Sequence, residues 1–351
     1  MNIKDVAKLA GVSVASVSRA FQNPPSPLIS ASQRERILKI CEELHYYPDI
    51  NSSRMNRKRS NCITLLSRHI SCEQTIGTAM RHYDHNFASI TMGVQRVLAD
   101  CGKSLQLISI TDEFLQQRGH LTMVRSKMTD GILFWGPLKN EECVMELLEE
   151  HIPMLLLTTS VAGTTCPQVI ADEYDGMSRV VRCVLEKGHR QIAVIPPPEV
   201  GSSGEQRAKA IKNTFHAAGI TPCYIAPESG FDYQCGWRMG KKILKEAPGI
   251  TCVIAPNDMV AWGCVAALRE NGVRVPEDIS ITGADGIFTP DTMRLTSFYL
   301  PSYEIGENGA KQLVRWIETG VSPEKQELLP APLITGNSVC DLRNRFPQSE
   351  K

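Results

Sequence analysis

IKDVAKLAGVSVASVSRAF spans residues 3–21, and its punctuation decides how the N-terminal part folds. Asn2 stands where a cap accepts the first free backbone N–H groups, and Asp5 sits in the first turn, facing the positive end of the helix dipole. Val6, Ala7 and Ala10 recur on one helical face, so residues 3–10 read as a short helix. Gly11 ends it, because a left-handed stop costs glycine little. Ser13 then caps a second helix over 14–21 with Val17 inward. A polar, proline-rich loop follows (QNPPSPL, 22–28), and Ser30 with Gln33 three places on forms a capping box. In the third helix Ile37, Cys41 and Leu44 recur at helical spacing. Residues 1–45 are therefore an all-α domain whose first two helices, joined by a glycine turn, make a helix-turn-helix.

Charge supports a polyanionic partner for this head. The 351 residues carry 38 Lys/Arg and 38 Asp/Glu, but residues 1–60 hold ten of the former against five of the latter. A basic head on an acidic body is the electrostatic footprint expected of a DNA-binding domain. No long apolar run opens the chain and none reaches the roughly 18 residues of a membrane span, so a cytoplasmic location is expected. The twelve cysteines are scattered, no two closer than Cys62 and Cys72, which fits reduced buried thiols better than a disulfide framework.

The second helix has the chemistry of a DNA reader. In such motifs its N-terminal residues meet base edges in the major groove. Ser13, Ser16 and Ser18 are short donors suited to phosphates, and Arg19 carries a fork that matches guanine O6 and N7. Val14 and Ala15 offer no hydrogen bond and suit a thymine methyl. The plainer alternative is a surface helical hairpin in which the serines are only caps.

Beyond a polar, basic linker at 46–61 (YYPDINSSRMNRKRSN), strands and helices alternate. CITLL (62–66), a helix near 88–101, SLQLISI (104–110), GILFW (131–135) and PMLLLT (153–158) form one run. A helix near 175–187, QIAVIP (191–196), helices over 204–218 and 258–271, TCVIAP (251–256) and ISITGA (279–284) form a second. Such alternation predicts parallel sheets in two similar α/β lobes, with ligands held at the carboxyl ends of strands, in the cleft between them.

IKDVAKLAGVSVASVSRAF followed by SASQRERILKICEELHYYPDINSSRM (30–55) resembles the headpiece and hinge of the lactose-repressor/galactose-repressor family of transcription regulators. The resemblance covers the first 58 residues. It continues through TDGILF (129–134), DEYDGMSRVVRCVLEKGHRQIAVI (172–195), APNDMVAWGCVAALRENGVRVPEDISITGAD (255–285) and LTSF (295–298), in family order. It implies a helix-turn-helix domain followed by a two-lobed α/β body of the periplasmic-binding-protein type. The divisions are a hinge at 46–60, an N-terminal lobe of 61–171 plus 293–322, and a C-terminal lobe of 172–292 plus 323–344. In the family, paired hinges of a dimer fold on the operator and wedge an apolar side chain into the minor groove. The matching position here is Met55, beside Ser52, with Asp49 and Ser52 standing where the family usually has asparagine and alanine.

The resemblance further implies small-molecule contacts at Arg207, Asn257 and Asp285, and the aromatic rings of Trp262 and Phe298 suit apolar walls beside them. These groups suit a polyol, since asparagine donates and accepts, and aspartate accepts from paired hydroxyls. Each also has a structural reading: Arg207 as an ion pair at a helix start, Asn257 and Asp258 as caps. Thr158 and Gly286 replace acids that the family often carries. An insertion at 67–87 holds His69, Cys72, His82 and His85, but no paired ligand motif, so no metal or other cofactor is expected. The implied function is a dimeric regulator, expected to be a repressor, that binds a palindromic operator under control of a sugar-like metabolite. A corepressor-dependent regulator with a purine-like ligand, and a carrier without DNA function, are the alternatives. Walker A, Gly-x-Ser-x-Gly and His-Glu-x-x-His are all missing, and GWRMGK (236–241) has the wrong spacing for a phosphate loop, which argues against an enzyme.

Overall fold

The computed structural model describes residues 2–21, 25–47, 59–67, 85–136, 142–161, 163–198, 201–287 and 293–344. The chain divides into two units, 1–61 and 62–351.

In the first unit, helices α1 (Ile3–Ala10), α2 (Val14–Ala20) and α3 (Ala31–Glu43) enclose a core of Val6, Ala7, Ala10, Val17, Ala20, Ile37 and Cys41. The caps are where the residues predict them. Asn2 accepts from the amides of Lys4 and Asp5 while the Asp5 carboxylate accepts from the Asn2 amide at 2.9 Å, and Gly11 sits at φ 60°. Ser13 Oγ accepts from the Ser16 amide at 3.1 Å and Ser30 Oγ from the Gln33 amide at 3.2 Å. Two arginines of α3 add what periodicity does not reveal. Arg36 Nη2 donates to the Ala10 carbonyl at 2.8 Å and Arg34 Nε to the Ala20 carbonyl at 2.9 Å. Each closes a free carbonyl at the end of α1 or α2 with a positive charge, which suits a helix C-terminus.

The second unit has two parallel sheets. The first contains β1 (Cys62–Ser67), β2 (Ser104–Ser109), β3 (Gly131–Trp135), β4 (Met154–Leu157) and β5 (Gln168–Ala171). Its helices are α4 (His85–Asp100), α5 (Asp112–Gln116), α6 (Gly119–Arg125) and α7 (Glu142–Glu149). The chain then crosses over through α8 (Glu173–Glu186). The second sheet follows as β6 (Ile192–Val194), α9 (Gly201–Ala217), β7 (Tyr224–Ile225), α10 (Tyr233–Glu246), β8 (Cys252–Ile254), α11 (Asp258–Glu270) and β9 (Ser280–Thr282), ordered β7-β6-β8-β9. After β10 (Ser297–Phe298) the chain returns to the first lobe as α12 (Ser302–Thr319) and β11 (Gln326–Leu329). It then pairs back on β10 with β12 (Leu333–Ile334).

One expected boundary moves. The resemblance puts residues 323–329 in the C-terminal lobe, but β11 pairs in parallel with β5, Gln326 opposite Gln168 and Leu329 opposite Ala171. The first sheet is therefore β11-β5-β4-β3-β1-β2, and the last crossover falls after Leu329. QELL has a weak apolar signal because β11 is a half-exposed edge strand. One buried cluster runs through both lobes, from Ile63, Leu133 and Leu155 through Met177, Val181 and Phe298 to Ile192 and Ile254. A buried cluster in the C-terminal lobe gathers Ile195, Met239, Val253, Val260, Leu268 and Ile281.

Two glycines govern the packing of α4 on α12. A methyl group at Gly93 would overlap the Tyr303 carbonyl, and one at Gly306 the Ile90 carbonyl, so the backbones touch where either residue stands. Gly93→Ala and Gly306→Ala should each destabilise this unit by about 1–3 kcal/mol through overpacking. Met92→Ala, at a neighbouring site 62% exposed, should change little. Urea unfolding of the full chain monitored by circular dichroism checks the contrast.

Candidate functional site

Two places in the molecule concentrate functional chemistry, one in each unit. On α2, Val17 and Ala20 are buried, which turns the opposite side of the helix outward. Ser13, Ala15 and Ser18 are exposed, Val14 is 40% exposed, and Ser16 and Arg19 are half-buried. Ser13 and Ser16 are linked Oγ to Oγ at 3.0 Å, so the Ser13 hydroxyl serves the turn as a cap. Ser52 and Met55 lie outside the described residues.

In the second unit the Arg207 guanidinium is buried with three partners. Nε donates to Glu173 Oε2 at 2.6 Å, Nη2 to Asp285 Oδ1 at 2.6 Å and Nη1 to the Pro256 carbonyl at 2.8 Å. The rings of Phe231 and Phe298 lie 5.6 and 5.1 Å from the guanidinium carbon. Ser203 Oγ donates to the other oxygen of Glu173 at 2.6 Å. The Ser202 and Ser203 hydroxyls also reach across to the Thr158 carbonyl of the N-terminal lobe, at 3.3 and 3.5 Å. Asp285 adopts φ 100°, a strained conformation for a residue with a side chain. Its backbone is held on both sides, by the Phe298 carbonyl and the Leu300 amide. Beside this group, Asp258 accepts from the Ile287 amide at 2.7 Å and from Ser297 Oγ at 2.9 Å.

Asp258 and Asp285, beside this buried guanidinium, both have raised pKa values. Burial pushes Asp258 up to about 8, with the Asp285 charge adding to it and the hydrogen bonds from Ile287 and Ser297 opposing. Burial also raises Asp285, to about 6, although the Arg207 charge and hydrogen bonds from Arg207 and Asn86 pull it back. Burial works against the charge on Arg207, but Asp285 and Glu173 more than offset it and hold the guanidinium ionised.

Comparison with known proteins identifies the domains that carry them. Residues 2–49 match the model of bacterial regulatory proteins of the lacI family, and residues 181–339 that of the periplasmic binding protein-like domain. The chain is 29% identical over 349 residues to the HTH-type transcriptional repressor PurR of Escherichia coli O139:H28, covering 97% of each. The PurR of Shigella dysenteriae serotype 1 matches equally, 29% over 97% of each chain. The chain belongs to the lacI family of bacterial regulatory proteins. It is a DNA-binding transcription regulator, and the relatives it matches are transcriptional repressors. Its fold is that of the Lac repressor dimer bound to operator and the anti-inducer ONPF, with a TM-score of 0.80 at 22% identity, over 97% of this chain and 99% of that one. The CelR–cellobiose complex has the same fold, with a TM-score of 0.70 at 23% identity over 96% and 99% of the two chains.

In this lacI-family regulator the expected effector residues part company. Arg207, Asp285 and Phe298 come together, and Thr158, at φ 60°, brings its carbonyl to the edge of the group. Asn257 is a cap: its Oδ1 accepts from the Val260 amide, and its Nδ2 donates to the Phe231 carbonyl at 2.9 Å, holding the segment whose ring faces Arg207. Trp262 does not join them. It packs against the core cluster of the C-terminal lobe, because its position on α11 faces that core rather than Arg207. Glu173, Ser203 and Phe231 are site residues that sequence reasoning did not identify; the one available signal was an acid pair, Asp172–Glu173, directly after an apolar strand. His85 opens α4 and is exposed, His69, Cys72 and His82 lie outside the described residues, and no metal-binding cluster occurs among the described residues. No described helix is long and apolar enough to cross a membrane.

Replacing Arg207 by methionine leaves Glu173 and Asp285 buried without a counter-charge, and should cost about 3–5 kcal/mol with no ligand present. Urea unfolding of the ligand-free protein measures this, whereas a residue serving only the ligand would leave ligand-free stability unchanged. Stability should also depend on pH. The raised pKa of Asp258 means that the folded state holds a proton the unfolded chain gives up near 3.8, so stability falls as pH rises toward about 8. Asp285 acts in the same sense up to about 6. Asp258→Asn, which mimics the protonated acid, should flatten the decline between about pH 6 and 8 and leave only the Asp285 share below 6. Unfolding curves across that range are the check.

Proposed function

We propose that this regulator binds a palindromic operator as a homodimer through α2, and that a small sugar-like metabolite held between the lobes controls the binding. The observation that carries the reading is the face α2 turns outward: exposed serines with Arg19, on a helix whose inner side is spent on the core. Ser16 and Ser18 approach phosphates, and Arg19 reads a guanine edge. A dimer follows from geometry, because one headpiece covers a single half-site and the hinge residues, including Ser52 and Met55, act in pairs on the minor groove.

The metabolite engages Asp285 and Arg207, with Phe298 and Phe231 as walls. Both charged groups are buried, so entry requires the lobes to part at the contact of Ser202 and Ser203 with Thr158. Entry also exchanges protein partners of the guanidinium for ligand hydroxyls. Ligand and operator then prefer different lobe arrangements, and a coupling of about 1–3 kcal/mol shifts occupancy several-fold or more. Sugars are favoured because one structure with this fold is a complex with cellobiose and another has bound ribose. Control of a promoter places the protein in the cytoplasm, acting as a binding protein rather than an enzyme.

Gel-shift titration on a promoter fragment tests the reading. Arg19→Ala should lose about 1–3 kcal/mol of preference for the operator over random DNA while keeping most general affinity. Equal losses on both DNAs would remove Arg19 from base reading, and sequence-independent binding by the wild type would overturn the operator itself.

A further inference from the structure

Resting on the operator reading above, we propose that this regulator selects its sites by the methyl groups of pyrimidines, sensed by Val14 and Ala15. Thymine can then be exchanged for methylated cytosine in the first contacted steps, but not for uracil.

The inference follows from what the first turn of α2 has left to offer. This turn enters the major groove first in a helix-turn-helix. Its serines have other partners: Ser13 Oγ caps the Ser16 amide at 3.1 Å and shares a hydrogen bond with Ser16 Oγ at 3.0 Å, and the hydroxyl proton left over serves a phosphate. Val17 is wholly buried in the head core. Of the residues free to meet a base here, Val14 is 40% exposed and Ala15 is exposed, and both are hydrocarbon. Arg19 lies more than a turn further on and can satisfy one guanine.

A base edge facing Val14 and Ala15 therefore loses its water without gaining a hydrogen bond, which is unfavourable for every polar edge. The one hydrocarbon group that the four standard bases show in the major groove is the thymine methyl. Methylated cytosine places the same group at the same ring position. Uracil pairs as thymine does and lacks it. Burying one methyl is worth about fourfold in affinity, and a two-fold symmetric site doubles the effect to about fifteenfold.

The test begins with selection of binding sites from a random duplex library by the full-length protein. The selected site is then resynthesised with uracil at each thymine in turn, and with methylated cytosine at the same positions, and titrated by fluorescence anisotropy. The expected result is a loss of about fifteenfold on uracil substitution at one symmetric pair of positions. Methylated cytosine should bind better than cytosine there, and Val14→Ser should abolish the difference between thymine and uracil. Val14 is exposed at the first position of its helix, so this substitution leaves the head core untouched. A selected site that binds equally well with uracil overturns the methyl reading and leaves the regulator intact. A library from which no site is selected overturns the operator reading, and this inference with it.

Discussion

The arrangement of the second unit depends on keeping one buried guanidinium satisfied. Arg207 draws its acceptors from three segments remote in sequence: Glu173 at the start of α8, the Pro256 carbonyl before α11, and Asp285 just beyond β9. A charge removed from water demands such partners, so the ends of these segments converge on it. Burial at this place raises the pKa of Asp258, and the charge of Asp285 adds to it. The same group lies where β10 connects the lobes and where Ser202 and Ser203 touch Thr158. Whatever enters there must deal with the ion cluster, and so with the closure of the lobes.

The head solves a different problem with a smaller core. Seven buried side chains hold three helices, and two arginines of α3 tie down the ends of α1 and α2. Part of the positive charge of the head is therefore structural, fixing the angle at which α2 is displayed. Among the residues of α2, the buried ones fasten it and the exposed ones are free for DNA.

Legibility followed the range of the interactions. Asn2, Gly11, Ser13 and Ser30 were readable because a cap acts over three or four residues, and each is found in that role. The alternation of apolar strands and amphipathic helices was readable for the same reason, and it carried the parallel sheets. QELL at 326–329 was not assigned to the first sheet, because its partner β5 lies more than 150 residues away and an edge strand needs few apolar side chains. Trp262 was placed on a ligand wall from its chemical type, whereas the facing of α11 puts it against the core. Asn257 illustrates a shared signal: the residue that suits a hydroxyl also suits a helix cap, and the cap is where its side chain is used.

By itself the sequence determined the local grammar of this regulator: where helices start and stop, which segments form strands, that the head is basic, and which side chains α2 has available for bases. Its family resemblance also pointed to Arg207 and Asp285, each as a contact for a small molecule. Only the tertiary structure decided that Glu173 shares that guanidinium, that burial raises the pKa of Asp258 beside it, and that β11 closes the first sheet. The physical reason is that each of these depends on burial and on partners brought together across the chain. A carboxyl group carries no mark in the sequence of the water it will lose or the charge it will meet.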